Sequence, residues 1–591
     1  MNWPVMTIAD AHAAMTARGA AYETEERTIF GVRQRVWKNA PPTLREVFLE
    51  GRAHGDKTFL VYEDERVSFE QFALATLALT EALRVEGVVK GDRVVIAMRN
   101  LPEWPVALFA TWLVGAVAVP LNAWWTGPEL EYALQDSGAS AALVDAERLE
   151  RIAPLLPNCA ALRRVFVARA APTAAVRNVV ALESVIGAAH AWGQLTERPV
   201  PGIRLEPEDD ATIFYTSGTT GHPKGALGTH RNAVSTVATT AFTTERNYLR
   251  RGEPVPLLED RVTQLAVIVG IPFFHVTGCL CVLCPPLLAG AKLVTMHHWD
   301  TERAMALIER ERCTHAGGVP TLAWQILEHP ARSKYDLSSL ESMSYGGAPA
   351  APELVRRMEQ VWPSTVPGFG WGMTETSATF THHSGEDYRR RPDSSGPALP
   401  VCEMKIVGDS GNELPCGEVG ELWAKGPNVV KGYWGKPEVT AETFVNGWVR
   451  TGDLAKMDDE GFLYIVDRKK DIVIRGGENI YCVEVEAALF EHPAIMDAGV
   501  IGLPHHQLGE EPAAVVTLKP GQETTEHELR AFVRARLAAF KVPMHIVVLR
   551  QALPRNANGK IIKKALRAYF AHEQATAPLV GAIARKLGKE S

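Results

Sequence analysis

The chain has few cysteines, no long hydrophobic run and little excess charge. Eight cysteines among 591 residues provide no disulfide framework. Cys279, Cys281 and Cys284 are close together, but they lie in an apolar run without a histidine or fourth cysteine at metal-binding spacing. We therefore predict that these three thiols are buried as small hydrophobic side chains.

Charge and hydropathy argue against two further classes of protein. The 62 basic and 69 acidic residues give a net charge of -7, which does not favour a nucleic-acid partner. The longest apolar stretch, residues 106–121, is shorter than the roughly 18 residues that a membrane helix requires. Residues 1–10 lack the basic start and apolar core of a signal peptide. We predict a cytoplasmic protein without a transmembrane segment; no feature indicates peripheral membrane contact or an oligomeric state.

The pattern of apolar segments predicts an α/β fold. Up to about Met404, short β-prone runs alternate with helical patterns, which is typical of layers built on largely parallel sheets. Short strands with frequent turns follow and predict a β subdomain, and beyond residue 471 the α/β pattern returns. We predict a large N-terminal domain of layered α/β subdomains plus a β subdomain (1–467), a smaller α+β C-terminal domain (471–571) and a tail (572–591).

A loop rich in glycine and hydroxyl groups lies at residues 215–225. Its three glycines allow close approach to a phosphate, its hydroxyl and amide groups donate to phosphate oxygens, and Lys224 supplies a positive charge. The preceding run 211–215 is apolar and predicts a buried strand. Because Gly225, and not Ser or Thr, follows Lys224, the loop does not match the Walker sequence.

Two further segments combine glycine with other functional groups. The segments 345–349 and 370–375 allow close backbone approach and add an aromatic ring, a hydroxyl and a carboxylate. A nucleotide base fits between such backbone and ring surfaces, while Thr374 and Glu375 can extend toward phosphate and Mg²⁺.

With these segments the chain resembles the adenylate-forming superfamily, which contains acyl-CoA synthetases, peptide-synthetase adenylation domains and beetle luciferases. The resemblance runs in order from about Pro42 to Leu566. It rests on residues 215–225, 272–275, 346–349, 371–375, 451–454, 467–471, 476–480 and 554–560.

The resemblance implies that ATP, Mg²⁺ and coenzyme A are bound and that a carboxylic acid is activated as an acyl-adenylate. Glu375 and Thr219 are the implied metal contacts, and Lys560, Lys224, His275 and Glu375 are the implied catalytic groups. Asp453 is expected to accept hydrogen bonds from the ribose hydroxyls, with Arg468 as its basic partner. The nucleotide and cofactor contacts are expected at Thr216, Ser217, Gly218, Thr219, Thr220, Gly221, Lys224, Gly346, Gly347, Ala348, Gly370, Trp371, Gly372, Met373, Thr374, Asp453, Arg468, Lys560, Gly476 and Gly477.

The same resemblance implies two half-reactions in one site. The mobile C-terminal domain would rotate about a hinge at 468–470, with Lys470 in the hinge position. Gly476 and Gly477 would then admit the pantetheine arm of coenzyme A, although the same pair could form a β-turn.

The segment 273–278 indicates the kind of acid. It lacks the aspartate with which amino-acid-activating relatives pair the substrate ammonium, so it favours a fatty, aryl or arylalkanoic acid, with His275 at the pocket wall or packed in the core. Trp371 replaces the usual tyrosine, and residues 240–267 predict a surface excursion or a lid. A carrier-protein thiol as acceptor, and a binding protein without turnover, are the alternatives.

Overall fold

Two eight-stranded sheets form the centre of the N-terminal part of the molecule. The structure, a computed structural model, describes residues 3–170, 178–216, 222–348, 350–556 and 559–570. In spatial order, the first sheet contains Gly432–Tyr433, Gly225–Thr229, Asp210–Tyr215, Val117–Pro120, Arg93–Ala97, Ala141–Asp145, Arg164–Ala168 and Val179–Ala181. The second contains His383–Ser384, Val366–Gly370, Ser342–Gly346, His315–Gly318, Ala266–Val269, Lys292–Thr295, Thr58–Tyr62 and Glu65–Ser68.

The inner strands of both sheets pair in parallel. Their apolar side chains are buried because helices cover the faces of the sheets, as in other α/β proteins. The α-helices of the described residues are Ile8–Thr16, Leu44–Arg52, Phe69–Val85, Glu103–Leu113, Gly127–Ser137, Ala146–Ile152, Glu183–Ile186, His230–Arg251, Cys284–Leu288, Thr301–Glu311, Pro320–Leu327, Pro352–Val361, Glu386–Arg390, Pro437–Thr443, Cys482–Phe490, Glu526–Arg534 and Lys563–Leu566. The predicted fold class is confirmed.

Two smaller sheets follow along the chain. The antiparallel sheet of the β subdomain contains Gly396–Pro397, Phe462–Arg468, Trp448–Met457, Gly420–Lys425 and Glu403–Val407, with Phe444–Val445 at its side. The C-terminal sheet contains Glu478–Ile480, Val473–Arg475, Gly509–Leu518, Ile495–His505 and His545–Leu549. Only residues 469–472 connect the two sheets, and the domain limits and hinge remain predictions.

An N-terminal segment, residues 3–37, packs against the long helix His230–Arg251. Besides its own helix, it contains the hairpin Thr24–Ile29 and Val32–Trp37. Phe242 of the long helix lies 5.2 Å from the ring of Tyr22 and 5.4 Å from that of Trp37. Buried aromatic clusters of this kind hold two segments together through apolar contact.

Residues 245–251 are the last two turns of this long helix. Tyr22 donates a hydrogen bond to Glu245, and the buried Arg250 pairs with Asp387 at 2.7 Å. Capping by Thr229 begins the helix, and Gly252, with φ +69°, ends it in the left-handed conformation that favours glycine. The expectation of a surface excursion is therefore wrong for 245–251, because these residues pair with the N-terminal segment and with Asp387.

The three clustered cysteines are only partly core residues. Cys279 and Cys284 are buried, as predicted, but Cys281 is half-buried and its Sγ lies 3.2 Å from Thr379 Oγ1. Within the described ranges, no cluster of His, Cys, Asp and Glu suits a metal ion, and no helix has the length and apolarity to span a membrane.

Candidate active site

A large cavity lies where the three larger sheets and the C-terminal sheet meet. Its volume is about 2410 Å³, compared with roughly 300–1,000 Å³ for a site that holds one small ligand. Except for Gly476 and Gly477, the predicted site residues in the described ranges all line it: Thr216, Lys224, His275, Gly346, Gly347, Ala348, Gly370, Trp371, Gly372, Met373, Thr374, Glu375, Asp453, Arg468 and Lys560. The cavity has room for a nucleotide and a second molecule.

The predicted phosphate loop joins two antiparallel strands. Tyr215 pairs with Gly225, and the Thr216 amide donates to the Lys224 carbonyl at 2.9 Å, which closes the base of the loop. The chain returns as a strand and does not enter a helix, so the local structure also differs from a Walker loop. Ser217, Gly218, Thr219, Thr220 and Gly221 lie outside the described residues.

The other two glycine segments meet at one sheet edge. Gly346 and Gly370 pair at the carboxyl ends of neighbouring parallel strands, which is where ligands bind in open α/β sheets. Beyond this edge, Gly372 pairs so closely with the opposite strand that a Cβ atom would lie 1.7 Å from the Ala378 carbonyl oxygen. Only glycine fits at 372, and the tight hairpin carries Glu375 on its turn.

Glu375 is a buried carboxylate that pairs with a tyrosine. Its Oε1 accepts a 2.7 Å hydrogen bond from Tyr433 Oη. Burial raises the pKa of Glu375, while the Tyr433 hydroxyl and the nearby positive charge of Lys224 oppose that rise. The Lys224 Nζ atom itself lies 4.7 Å from the centre of the Tyr433 ring, so one tyrosine contacts both groups.

Asp453 and Arg468 face each other across two strands of the β subdomain. Their Cα positions are paired, and Arg468 Nε lies 3.4 Å from Asp453 Oδ1. The second oxygen, Oδ2, accepts a 2.8 Å hydrogen bond from the Trp371 indole. Asp453 therefore lies within a strand, and not in a turn, and Trp371 fixes its orientation.

Lys560 comes from the C-terminal part of the chain and enters the same cavity. Its backbone amide donates a 3.0 Å hydrogen bond to Asn556 Oδ1. The preceding Gly559, with φ +74°, lies so close to Val319 that a Cβ atom would be 2.7 Å from a Val319 methyl. Glycine at 559 thus permits the loop to approach the N-terminal part of the molecule.

Charged groups of both signs surround Lys560. Its pKa is lowered to about 8, mainly by burial and also by the charge of Arg468, whereas Asp453 and Glu375 act in the opposite direction. Lys470 adds to the lowering. Lys224, Arg468, Lys470 and Lys560 thus provide four cationic groups beside the two carboxylates of Glu375 and Asp453, a balance that suits a polyanionic ligand.

His275 lines the cavity and is neutral. Its pKa is lowered to about 3 by burial and by the charge of Lys560. Its Nδ1 accepts a hydrogen bond from the Thr277 amide at 3.3 Å, which leaves Nε2 to carry the ring proton. The predicted position at the pocket wall agrees with this placement, and the imidazole can donate to an oxygen in the cavity.

Gly476 and Gly477 are away from the other predicted residues in this structure. They form the turn between strands Val473–Arg475 and Glu478–Ile480, with φ values of +62° and +91°. The two positive φ values explain why glycine occurs at both positions. Neither is among the residues that line the cavity.

Sequence reasoning missed Tyr433 as a site residue. Tyr433 lies in strand Gly432–Tyr433, which pairs with the strand that follows the phosphate loop. The dipeptide Tyr433-Trp434 after a glycine was the available signal, but an aromatic pair alone indicates a core position as readily as a site. Its contacts with Glu375 and Lys224 become visible only in three dimensions.

Comparison with protein families assigns the class. The AMP-binding enzyme family matches residues 48–434, and the AMP-binding enzyme C-terminal domain matches residues 484–560. Together with the site, these matches define an AMP-forming acid–thiol ligase. The chain belongs to the AMP-binding enzyme family.

Individual relatives cover most of the chain. A feruloyl-CoA synthase of Amycolatopsis sp is 34% identical over 504 residues, covering 85% of this chain and 94% of that protein. A long-chain-fatty-acid–CoA ligase of Bacillus subtilis is 32% identical over 549 residues, covering 89% and 94%. Among solved structures, the anthranilate CoA ligase AuaEII in complex with anthranoyl-AMP has a TM-score of 0.78 at 25% identity, covering 90% of this chain and 98% of that one.

Proposed function

We propose that the protein is an ATP-dependent acyl-CoA ligase for a carboxylic acid with a hydrophobic body. The carboxylate attacks the α-phosphorus of ATP, forming an acyl-adenylate and releasing pyrophosphate. The thiol of coenzyme A then attacks the acyl carbon, forming a thioester and releasing AMP and a proton. The single observation that carries this proposal is the convergence of Lys560 with Arg468, Asp453 and Glu375 in one cavity.

Charge repulsion is the main obstacle to the first half-reaction. A carboxylate and a triphosphate must approach each other, and the surrounding cations lower the cost of that approach. We assign Lys560 to the space between the carboxylate and the α-phosphate, Lys224 to the phosphate chain and Asp453 to the ribose. The neutral His275 would donate to the acid's carboxylate or to the acyl oxygen.

The residues fit a magnesium ion that arrives with the nucleotide. Mg²⁺ in phosphoryl-transfer sites is held by one or two carboxylates together with phosphate oxygens, and Glu375 is a buried carboxylate beside the phosphate loop. We assign Glu375 as its protein ligand, with Thr219 of the loop as the second. When bound, the ion would neutralise charge on the phosphates.

The second half-reaction requires a different position of the C-terminal domain. In this structure Lys560 lines the cavity, and the Gly476–Gly477 turn does not. We propose that rotation about residues 468–470 withdraws Lys560 and brings this turn to the acyl-adenylate, where glycine leaves room for the pantetheine arm. The short connection between strands Phe462–Arg468 and Val473–Arg475 supports a hinge at this place.

The relatives, and the absence of a carboxylate from residues 273–278, support the proposed acid class. The relatives named above act, by their names, on feruloyl, fatty and anthranilate groups, and segment 273–278 has no carboxylate for a substrate ammonium. Apolar side chains of Val237, Ala238 and Val276 line the cavity. A fatty, aryl or arylalkanoic acid fits these features.

The test is product analysis with purified protein, ATP and Mg²⁺ against a panel of fatty, aryl and arylalkanoic acids, with and without coenzyme A. Pyrophosphate and AMP together with thioester in the presence of coenzyme A would support the proposal. Pyrophosphate without thioester would indicate a carrier-protein thiol as acceptor. No turnover on any acid would favour a protein that binds without catalysis.

A further inference from the structure

The sheet wall of the cavity carries polar side chains beyond the nucleotide end. On strand Ser342–Gly346, alternate residues are open to the cavity, so Ser342 and Ser344 lie on the same face as Gly346. Ser344 is two residues from Gly346, roughly 7 Å along the strand. Its hydroxyl is therefore beyond the adenylate end of the cavity, on the side where an acyl group would extend.

His382 lies beside Ser344 on this face. A Cβ atom on Gly368, which is paired with Ser344, would be 2.5 Å from Ser344 Oγ and 3.3 Å from His382 Nε2. The ring of His382 also lies against Gly370, where a Cβ would be 3.3 Å from its Cδ2. Because Gly368 and Gly370 have no side chains, the His382 imidazole packs against their backbone and lies near the Ser344 hydroxyl.

The imidazole of His382 has unused hydrogen-bonding capacity. Its Nδ1 is buried and has no hydrogen-bond partner among the described residues. Burial and the charge of Arg246 lower the pKa of the ring to about 3, so it is neutral and has one donor and one acceptor nitrogen. Because no partner of Nδ1 fixes the tautomer, Nε2 can serve as the donor or the acceptor for a ligand.

The backbone of His382 is held in place from the far side. Its carbonyl accepts a hydrogen bond from the buried Arg246, whose guanidinium also lies 3.0 Å from His12 Nε2 of the N-terminal segment. The His382 amide donates to the Pro397 carbonyl at 3.3 Å. These backbone hydrogen bonds restrict the position of the His382 side chain. A side chain with a fixed position can favour a ligand that places a polar atom at the matching place.

Apolar side chains line another part of the cavity. Val237, Ala238 and Ala241 of the long helix line the cavity together with Val276 and Val282. A hydrocarbon or aromatic body fits against these side chains, whereas an oxygen atom fits on the serine and histidine side.

We propose that His382 and Ser344 form a polar subsite that selects acids carrying a hydroxyl or carbonyl oxygen on an otherwise apolar body. Unsubstituted fatty or aryl acids of the same size are the disfavoured substrates. A site that hydrogen-bonds a substrate oxygen discriminates against the analogue that lacks it, because its own polar groups are then buried without partners. This inference rests on the proposed function and narrows its substrate.

The test uses acid pairs of matched size, 3-(hydroxyphenyl)propanoic against 3-(methylphenyl)propanoic acid at each ring position and 8-hydroxyoctanoic against nonanoic acid. The measured quantity is the ratio of kcat/KM within each pair, obtained from pyrophosphate release. We expect the hydroxylated member of at least one pair to be preferred by about tenfold. In His382→Phe that preference is lost, mainly through a higher KM for the hydroxylated acid, and His382→Gln, which keeps a donor and an acceptor, restores part of it.

A purely structural role of His382 would lower kcat/KM equally for both members of a pair and would overturn the inference. Ser344→Ala provides a second, smaller change, which is expected to reduce the same preference. His298→Phe, on an exposed surface outside the cavity lining, is the control and should leave the ratio unchanged. A wild-type ratio near one in every pair, with pyrophosphate still released, would refute the polar subsite alone; no release from any acid would refute the proposed function itself.

Discussion

The nucleotide end and the acid end of the cavity are built in different ways. The nucleotide end consists of glycine backbone and charged side chains that occur in short contiguous segments, such as 370–375. The proposed acid end is assembled from residues far apart in the chain, including Val237, Val276, Ser344 and His382. In the proposed function, the chemistry is therefore encoded locally, whereas the selection of the acid depends on how distant segments pack.

The largest effect is expected from replacing Lys560 at the proposed nucleotide end. We predict that Lys560→Ala lowers the adenylation rate by about 10³-fold, because a buried positive charge between two anions is lost. Thioester formation from supplied acyl-adenylate should fall far less, since Lys560 is expected to leave the site before that step. The measurement is pyrophosphate release for the first half-reaction and thioester formation for the second, and equal losses in both would contradict the assignment.

The pH dependence of the first half-reaction gives a second test. The pKa of Lys560 is lowered from 10.5 to about 8, so its protonated fraction in the free enzyme decreases as the pH rises through 8. We predict that kcat/KM for ATP decreases over the same range, by about tenfold for each further pH unit.

Lys560→Arg is the control for this profile, because a guanidinium stays protonated over this pH range. The alkaline decrease, normalised to the variant's own maximum, should move to higher pH. If kcat/KM for ATP still decreases near pH 8 in Lys560→Arg, the decrease is due to the titration of another group.

A smaller effect is expected from the residue that sequence reasoning missed. Tyr433→Phe removes the hydrogen bond to Glu375 while keeping the ring beside Lys224. We predict about a tenfold increase in the Mg²⁺ concentration required for half-maximal pyrophosphate release.

The sign of the accompanying pH effect follows from the same contact. The Tyr433 hydroxyl lowers the pKa of Glu375, so its removal raises that pKa further and the acid side of the kcat/KM profile for ATP moves to higher pH. Unchanged Mg²⁺ dependence and an unchanged acid side would show that Tyr433 only supports packing.

The smallest effect is expected at the boundary between the two ends. Trp371→Phe removes the 2.8 Å hydrogen bond to Asp453 Oδ2 and keeps an aromatic ring. We predict about a threefold to tenfold increase in KM for ATP, because that change corresponds to the free energy that one hydrogen bond contributes to binding. We expect little change in kcat. A change confined to KM for the acid would instead place the indole in the acyl channel.

The fold class could be predicted from the sequence, because buried strands and glycine-rich turns have local signatures. The residues of the proposed nucleotide end came from the family resemblance, and the structure places most of them along one cavity. Gly346 and Gly370 lie at one sheet edge, and Glu375 lies on the hairpin turn just beyond it. Asp453 was recognised only through its place in a longer series of motifs, since a strand position opposite Arg468 has no signature of its own.

The acid end could not be predicted in the same way. Glu245 and its neighbours have the polarity of a surface loop, yet they continue a helix because the N-terminal segment and Asp387 supply partners more than a hundred residues away. His382 lies outside the motifs that carry the family resemblance, and its position beside Gly368 depends on strand pairing that no local pattern specifies.

The most direct test of the central claim is isotope transfer during turnover with coenzyme A. An acid labelled with ¹⁸O in both carboxylate oxygens is converted in one cycle, and the AMP and pyrophosphate are analysed by mass spectrometry. Formation of an acyl-adenylate predicts that AMP contains one ¹⁸O atom, because the bridging carboxylate oxygen leaves with it when the thiol attacks the acyl carbon. Unlabelled AMP, or label recovered in a released phosphate together with ADP, would contradict activation at the α-phosphate.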